Sequence, residues 1–333
     1  MKSPVVRSGV AIVSLMLGSM FMATCGPTTE SMPEPPSAVT SPQTPLRRHG
    51  ITANNVFLYY DDVERANTFY TTTLGLQTAA DYGFAKILRV APTSFITLVD
   101  AKEGMHSTDE PKSVAIAFVT DQLDAWHAYL SGAGVPMRAP FEPVAGRPHD
   151  GFVAFDPEGY YLEFERFNPH AENERLLPML QPTATVLADA GSEVPSGLGF
   201  KATILWLYYR DLAASQRFYE DRLGFELIVD QGWAKIYRTS TSGYVGLVDG
   251  ARGMHEATDD KAVTVSFLTD DISGWFAYVR DSQVFELRTK EMVSEGGKVD
   301  VFVGYDPEHY FLEFDMFVEH PDNVTLLEML RQP

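Results

Sequence analysis

The sequence holds a single cysteine, Cys25, in 333 residues. No disulfide can form within the chain, and no thiolate metal site can form beyond that position. Positive charge is also scarce. Lysine and arginine number 26 against 45 aspartates and glutamates, giving a formal net charge of −19. A nucleic-acid binder needs a basic face to neutralise phosphates, so that class is excluded. The apolar run from Val10 to Ala23 is too short for a comfortable membrane span. Phosphate loops, nucleophile elbows and zinc helix motifs are missing as well. The length and composition suit two globular domains, each with its own core.

The first 50 residues read as targeting and spacing. Lys2 and Arg7 precede the run "VAIVSLMLGSMFMA" (10–23), the charge-then-apolar pattern of a secretory signal over residues 1–24. The run ends at "MATCG", which resembles a bacterial lipoprotein processing site. There the chain is cut before a cysteine, here Cys25, that then carries lipid. Met22 and Thr24 stand where such boxes usually have Leu and a small Gly or Ala. The other reading is an ordinary secretory signal with an incidental cysteine. Residues 25–50, rich in proline, serine and threonine without apolar period, form an extended tether. The expected location is the cell envelope, with a lipid anchor in the membrane. Without the lipid, the chain would be secreted or periplasmic.

Beyond residue 50 one domain is written twice. "RANTFYTTTLGLQ" (65–77) returns as "ASQRFYEDRLGFE" (214–226), and "LVDAKEGMH" (98–106) as "LVDGARGMH" (247–255), a shift of 149 residues. "DPEGYYLEFERF" (156–167) returns as "DPEHYFLEFDMF" (306–317), a shift of 150. The domains are placed at 51–180 and 198–333, with a polar linker at 181–197. Within each copy the periods alternate. "NVFLYY" reads as a strand. Asp62 N-caps a helix predicted from Val63 to Leu74, which Gly75 ends. Strands follow at 76–81, 84–90 and 94–100. The order then restarts with a strand "SVAIAFV", a helix over 122–131 and strands near 135–141, 151–155 and 160–166. The unit is β-α-β-β-β, present four times in an α+β chain.

This pattern resembles the vicinal oxygen chelate superfamily, which includes glyoxalase I, extradiol dioxygenases, and fosfomycin and bleomycin resistance proteins. The matching motifs are "DVERANTFY…LGL" with "DLAASQRFY…LGF", and "DPEGYYLE" with "DPEHYFLE". The resemblance implies that each pair of β-α-β-β-β modules curls into an open cup, a mixed sheet with helices outside. It also implies a divalent metal inside, such as Fe, Mn, Ni or Zn, held from the first, fourth, fifth and eighth strands. Those positions fall on Asn55, Thr97, Ala115 and Glu163 in the first copy. In the second they fall on Ile204, Gly246, Thr264 and Glu313. A catalytic site of this kind needs about three protein ligands, commonly histidines and a carboxylate. Only the final glutamate remains in each copy, so an atypical metal site and no metal at all both stay open.

Strand alternation adds further candidates. Asn55, Phe57 and Tyr59 face the cup and, with Trp206 and Tyr208, are candidates for substrate binding; ordinary strand packing is the alternative. Glu163 and Glu313 are candidate catalytic acid–base groups or metal ligands, with Glu165 and Asp315 two positions on; the alternative is a solvated rim. His106 and His255 read either as replacement metal ligands or as parts of a turn whose methionine plugs a gap beneath the cup. His170 and His320 read as surface or interface residues. The expected function is a glyoxalase- or dioxygenase-like enzyme acting on an unidentified small molecule at the envelope. The alternatives are a non-catalytic binding module of the sequestering kind and a structural envelope protein. Family members often pair modules across chains, so a homodimer is open, and tandem copies can do the same within one chain.

Overall fold

The computed structural model describes residues 43–332. The expected signal segment, the expected lipidation position Cys25 and most of the expected tether lie outside the described residues. After a short helix α1 (Pro45–His49), four modules follow in order. The first has β1 (Ala53–Tyr60), α2 (Val63–Thr68), β2 (Gln77–Asp81), β3 (Ala85–Ala91) and β4 (Ser94–Asp100). The second has β5 (Val114–Val119), α3 (Leu123–Gly132), β6 (His149–Phe155) and β7 (Tyr161–Phe167), followed by α4 (Leu177–Leu180). A two-residue hairpin, β8 (Val186–Leu187) with β9 (Gly199–Phe200), lies between the copies. The third module has β10 (Ala202–Tyr209), α5 (Leu212–Arg217), β11 (Glu226–Asp230), β12 (Ala234–Arg238) and β13 (Gly243–Asp249). The fourth has β14 (Val263–Leu268), α6 (Ile272–Asp281), β15 (Glu286–Leu287), β16 (Val293–Glu295), β17 (Val299–Tyr305) and β18 (Phe311–Phe317), then α7 (Val324–Arg331).

The helix starts follow from single side chains. Asp62 Oδ1 accepts the Arg65 N–H at 3.0 Å and Asp211 Oδ1 accepts the Ala214 N–H at 2.9 Å, each quenching an orphan donor. The helix expected through Leu74 is α-helical only to Thr68. It then widens, with Leu74 N–H bonding five residues back to Phe69 at 3.1 Å, before Gly75 turns out at φ +69°. The widened turn buries Tyr70 and brings its hydroxyl within 3.2 Å of Asp156. The strand expected near 135–141 is absent. Only Met137 bridges to Ala154, because Pro136 and Pro140 withhold the donors that a ladder needs.

The repeated "DPE" stretch is a structural latch. Asp156 Oδ2 accepts the Tyr60 hydroxyl at 2.7 Å, and Oδ1 accepts the N–H groups of Glu158 and Tyr160. Glu158 in turn accepts the N–H groups of Asp61 and Asp62 at the start of α2. Asp306, Glu308, Tyr209 and Arg210 repeat the arrangement in the second copy. Each latch ties the first module of a copy to its second.

The sheets ignore the copy boundaries. β1 pairs antiparallel with β14, placing Phe57 opposite Thr264. β10 pairs antiparallel with β5, placing Trp206 opposite Ala115. One sheet therefore joins the first and fourth modules, in the order β15-β17-β18-β14-β1-β4-β3-β2, with β16 alongside β17. The other joins the third and second, in the order β11-β12-β13-β10-β5-β7-β6. Each copy gives one module to each cup. A buried polar cluster stitches the two sheets together. Thr93 N–H donates to Ser242 Oγ at 2.7 Å, and Ser94 Oγ donates to the Ser242 carbonyl at 2.8 Å. The helices lie outside, over Val56, Leu58, Tyr60 and their counterparts. Among the described residues, no helix is long and apolar enough to cross a membrane.

Candidate functional site

The larger cup, from the first and fourth modules, encloses about 610 Å³. Its walls are largely apolar, with Phe57, Tyr59, Val99, Phe302 and Phe311 among them, and Met105 at the edge. Alternation along β18 turns Phe311, Glu313, Asp315 and Phe317 to the same side, so both carboxyls face the cavity. Asp315 is 1 % exposed, whereas Glu313 is only half-buried. The two side chains are hydrogen-bonded to each other, and Ser266 Oγ donates to Asp315 Oδ2 at 2.5 Å. Burial penalises the charged form of both. It pushes Asp315 up to about 7 against the help of Ser266. Burial and the neighbouring Asp315 push Glu313 well above the usual carboxylate range. Near neutral pH the pair holds at least one proton.

The other candidates on this side fall around that pair. Tyr59 lines the cavity and its hydroxyl lies 2.7 Å from Thr264 Oγ1. Asn55 is buried, outside the residues lining the cavity, with its amide donating to Thr97 Oγ1 at 2.8 Å. His106 packs edge-on against Tyr59 and Phe311, and its Nδ1 lies 2.7 Å from Glu110. The repeated glycine before it is now explained. A Cβ at Gly104 would stand 2.7 Å from the Tyr59 ring, and one at Gly253 2.6 Å from Tyr208. The turn passes directly over an aromatic ring. Met105 lies at the mouth, 45 % exposed, rather than plugging a gap beneath the cup.

The smaller cup, from the third and second modules, encloses about 270 Å³. Trp206, Tyr208, Glu163 and Glu165 line it together with Trp233 and Met254. Burial pushes Glu163 up to about 7, and burial with Glu163 beside it pushes Glu165 well above the usual carboxylate range. Trp206 fills much of the bowl. Its ring occupies the place that a side chain at the facing Gly246 would take. His255 stacks on Tyr161 at 4.2 Å and abuts Tyr208. Its burial, helped by Arg138, holds its pKa down to about 4.

The sequence-predicted residues thus separate across the copies. Asn55, Phe57 and Tyr59 share a cup with Glu313, while Trp206 and Tyr208 share one with Glu163. The positions matching the family's metal ligands regroup as Asn55, Thr97, Thr264 and Glu313, and as Ile204, Gly246, Ala115 and Glu163. The first set is an amide, two hydroxyls and a carboxyl, with Asn55 and Thr97 satisfying each other. The second offers a single donor. Among the described residues no three His, Cys, Asp or Glu side chains converge on one point. This donor chemistry does not fit the family's Fe or Zn centre. His170 and His320 cap short turns, each accepting an N–H two residues on at 3.2 Å. Sequence reasoning missed Arg138, Arg252, Arg288 and Trp233, which line the cups from loops and hairpins without regular period.

Two solved structures share the architecture. A candidate dioxygenase from Bacillus subtilis is 13% identical, with a TM-score of 0.56, covering 81% of this chain and 86% of its own. Glyoxalase I from Zea mays is 17% identical, with a TM-score of 0.54, covering 83% and 94%. At these identities the likeness is one of fold. A comparison with curated proteins gives no match. Residues 52–164 and 202–314 each match the same family, and together they make up more than half of the sequence. The chain belongs to the Glyoxalase/Bleomycin resistance protein/Dioxygenase superfamily.

Proposed function

We propose that this is an envelope-tethered small-molecule enzyme of the glyoxalase- or dioxygenase-like kind whose larger cup works by proton transfer. The observation that carries this reading is the Glu313–Asp315 carboxyl pair, side by side in an apolar cavity of about 610 Å³ with proton affinities raised by burial. Such a volume suits a drug-sized molecule. A carboxyl whose affinity for protons lies near the working pH is suited to general acid–base catalysis. Asp315, fixed by Ser266, steadies the pair, and Glu313, open to the cavity, exchanges the proton with the ligand. The divalent metal of the family would supply Lewis-acid polarisation where it binds. The residues here do not form its site, and no step is routed through it. Each chain supplies both halves of both cups, so one chain is the proposed working unit.

The test is deuterium wash-in. A panel of aldehydes and ketones is incubated with residues 43–333 in D2O, with and without chelator, and followed by proton NMR. Deuterium should enter beside the carbonyl of at least one compound, regardless of chelator, and Glu313→Gln should slow this at least tenfold. Tight binding without any exchange would instead favour the sequestering reading, which the missing metal donors and the aromatic walls support. The envelope location rests on the sequence around Cys25. A Cys25→Ala variant is expected to leave the membrane fraction of cells expressing the full chain.

A further inference from the structure

The duplication allows each cup to be read against the other. Asp315 in the larger cup receives a hydrogen bond from Ser266 at 2.5 Å. The matching position in the smaller cup is Ala117, opposite Glu163 in the parallel register just as Ser266 is opposite Glu313. The hydroxyl donor is gone, and the Glu165 carboxyl is left with Glu163 as its hydrogen-bond partner. Phe57 of the larger cup is matched by Trp206, whose indole N–H is buried without a partner. Both groups line the cavity, with Glu165 2 % and Trp206 9 % exposed. Buried polar atoms are nearly always bonded, so the unmet Trp206 N–H in this bowl points to an absent occupant.

The mouth differs in charge. Glu103 lines the larger cup where Arg252 lines the smaller, and Glu295 of the larger is matched by Ala145. Arg288 and Arg138 occupy matching positions. The smaller cup therefore opens between two exposed guanidiniums, which among the described residues form no ion pair. Arg252 lies over Trp233 at 5.2 Å and Arg138 over Tyr161 at 5.8 Å. A guanidinium pair favours a carboxylate over a neutral group.

We propose that the smaller cup is a second ligand site, separate from the larger one, for a compact carboxylate that also carries a hydroxyl or ammonium donor. The carboxylate lies between Arg138 and Arg252. The donor reaches the Glu163–Glu165 carboxyl pair, and an oxygen of the ligand accepts from Trp206. The volume of about 270 Å³ limits the molecule to the size of a small hydroxy acid or amino acid.

The probes are L-lactate, L-malate, L-serine and L-glutamate, with lactamide and serinamide as neutral controls, titrated calorimetrically into residues 43–333. At least one acid should bind one-to-one, and its amide at least tenfold more weakly. An Arg138→Ala, Arg252→Ala variant should lose at least tenfold in affinity. Both side chains are exposed, so this variant should fold. Trp206→Phe should weaken binding severalfold, and Glu313→Gln in the larger cup should leave it unchanged. Binding by none of the acids, equal binding of an acid and its amide, or full binding by the double arginine variant would each overturn the proposal. None of these outcomes bears on proton transfer in the larger cup.

Discussion

At the residue scale, the paired carboxyls govern how the molecule responds to pH. Glu163 and Asp315 are raised to about 7 from ordinary values of 4.5 and 3.8, and Glu165 and Glu313 are raised well above the usual carboxylate range, with burial the first cause in each. A carboxyl raised in the folded state binds its proton more tightly there than in the unfolded chain. Its stabilising contribution is complete below the unfolded value and is lost as pH rises through the folded one. Melting temperature should therefore fall between about pH 5 and pH 8, and Glu165→Gln or Glu313→Gln should flatten that decline. A decline of equal slope in both variants would show that the pairs do not cause it. His255 acts in the opposite direction. Its stabilising contribution is present above about 6.5 and is lost as pH falls through about 4. Gly104 gives a purely steric prediction. Gly104→Ala presses a methyl group against Tyr59 and should cost about 1–3 kcal/mol in denaturant unfolding. A neutral result would mean that the turn shifts freely. That Phe57, Tyr59, Glu163 and Glu165 face the cups was legible, because strand alternation is a local rule. The consequence of Ala117 standing where its counterpart is Ser266 was not legible. It depends on which strand lies beside which.

At the element scale, the two tyrosines that begin "YYLE" and "YFLE" act as cross-copy clamps. The Tyr160 hydroxyl accepts from Tyr59 N–H at 3.0 Å and donates to the Ala262 carbonyl at 2.6 Å, joining β1 to the residue before β14. The Tyr310 hydroxyl accepts from Tyr208 N–H and donates to the Ser113 carbonyl, both at 2.7 Å. Tyr160→Phe and Tyr310→Phe each leave two buried backbone groups unmet and should destabilise by roughly 1–3 kcal/mol. Unchanged unfolding midpoints in both would remove the clamp from the account. Helix starts were legible from Asp62 and Asp211, and most strands from their apolar runs. The widened turn after Thr68 was not, since an i+5 bond leaves no separate periodic mark over five residues. The strand expected at 135–141 shows the opposite error. Its apolar residues carry the right composition, but its prolines prevent a ladder.

At the scale of the whole molecule, duplication turned two domains of sequence into two cups that neither copy can build alone. The repeats, the four modules and the α+β class were all legible. Which modules share a cup was not, because both copies present equivalent strands and only tertiary pairing chooses between them. The candidate site depends on that choice, since it sets Tyr59 and Thr97 of the first copy around Glu313 and Asp315 of the second. Light scattering on residues 43–197 produced alone tests this most directly. The half-chain carries unpaired edges on β1 and β5, which the full chain covers with β14 and β10. It should form a dimer that exchanges modules, or fail to fold. A stable, folded monomer with native circular dichroism would contradict the cross-copy cups and the site they build.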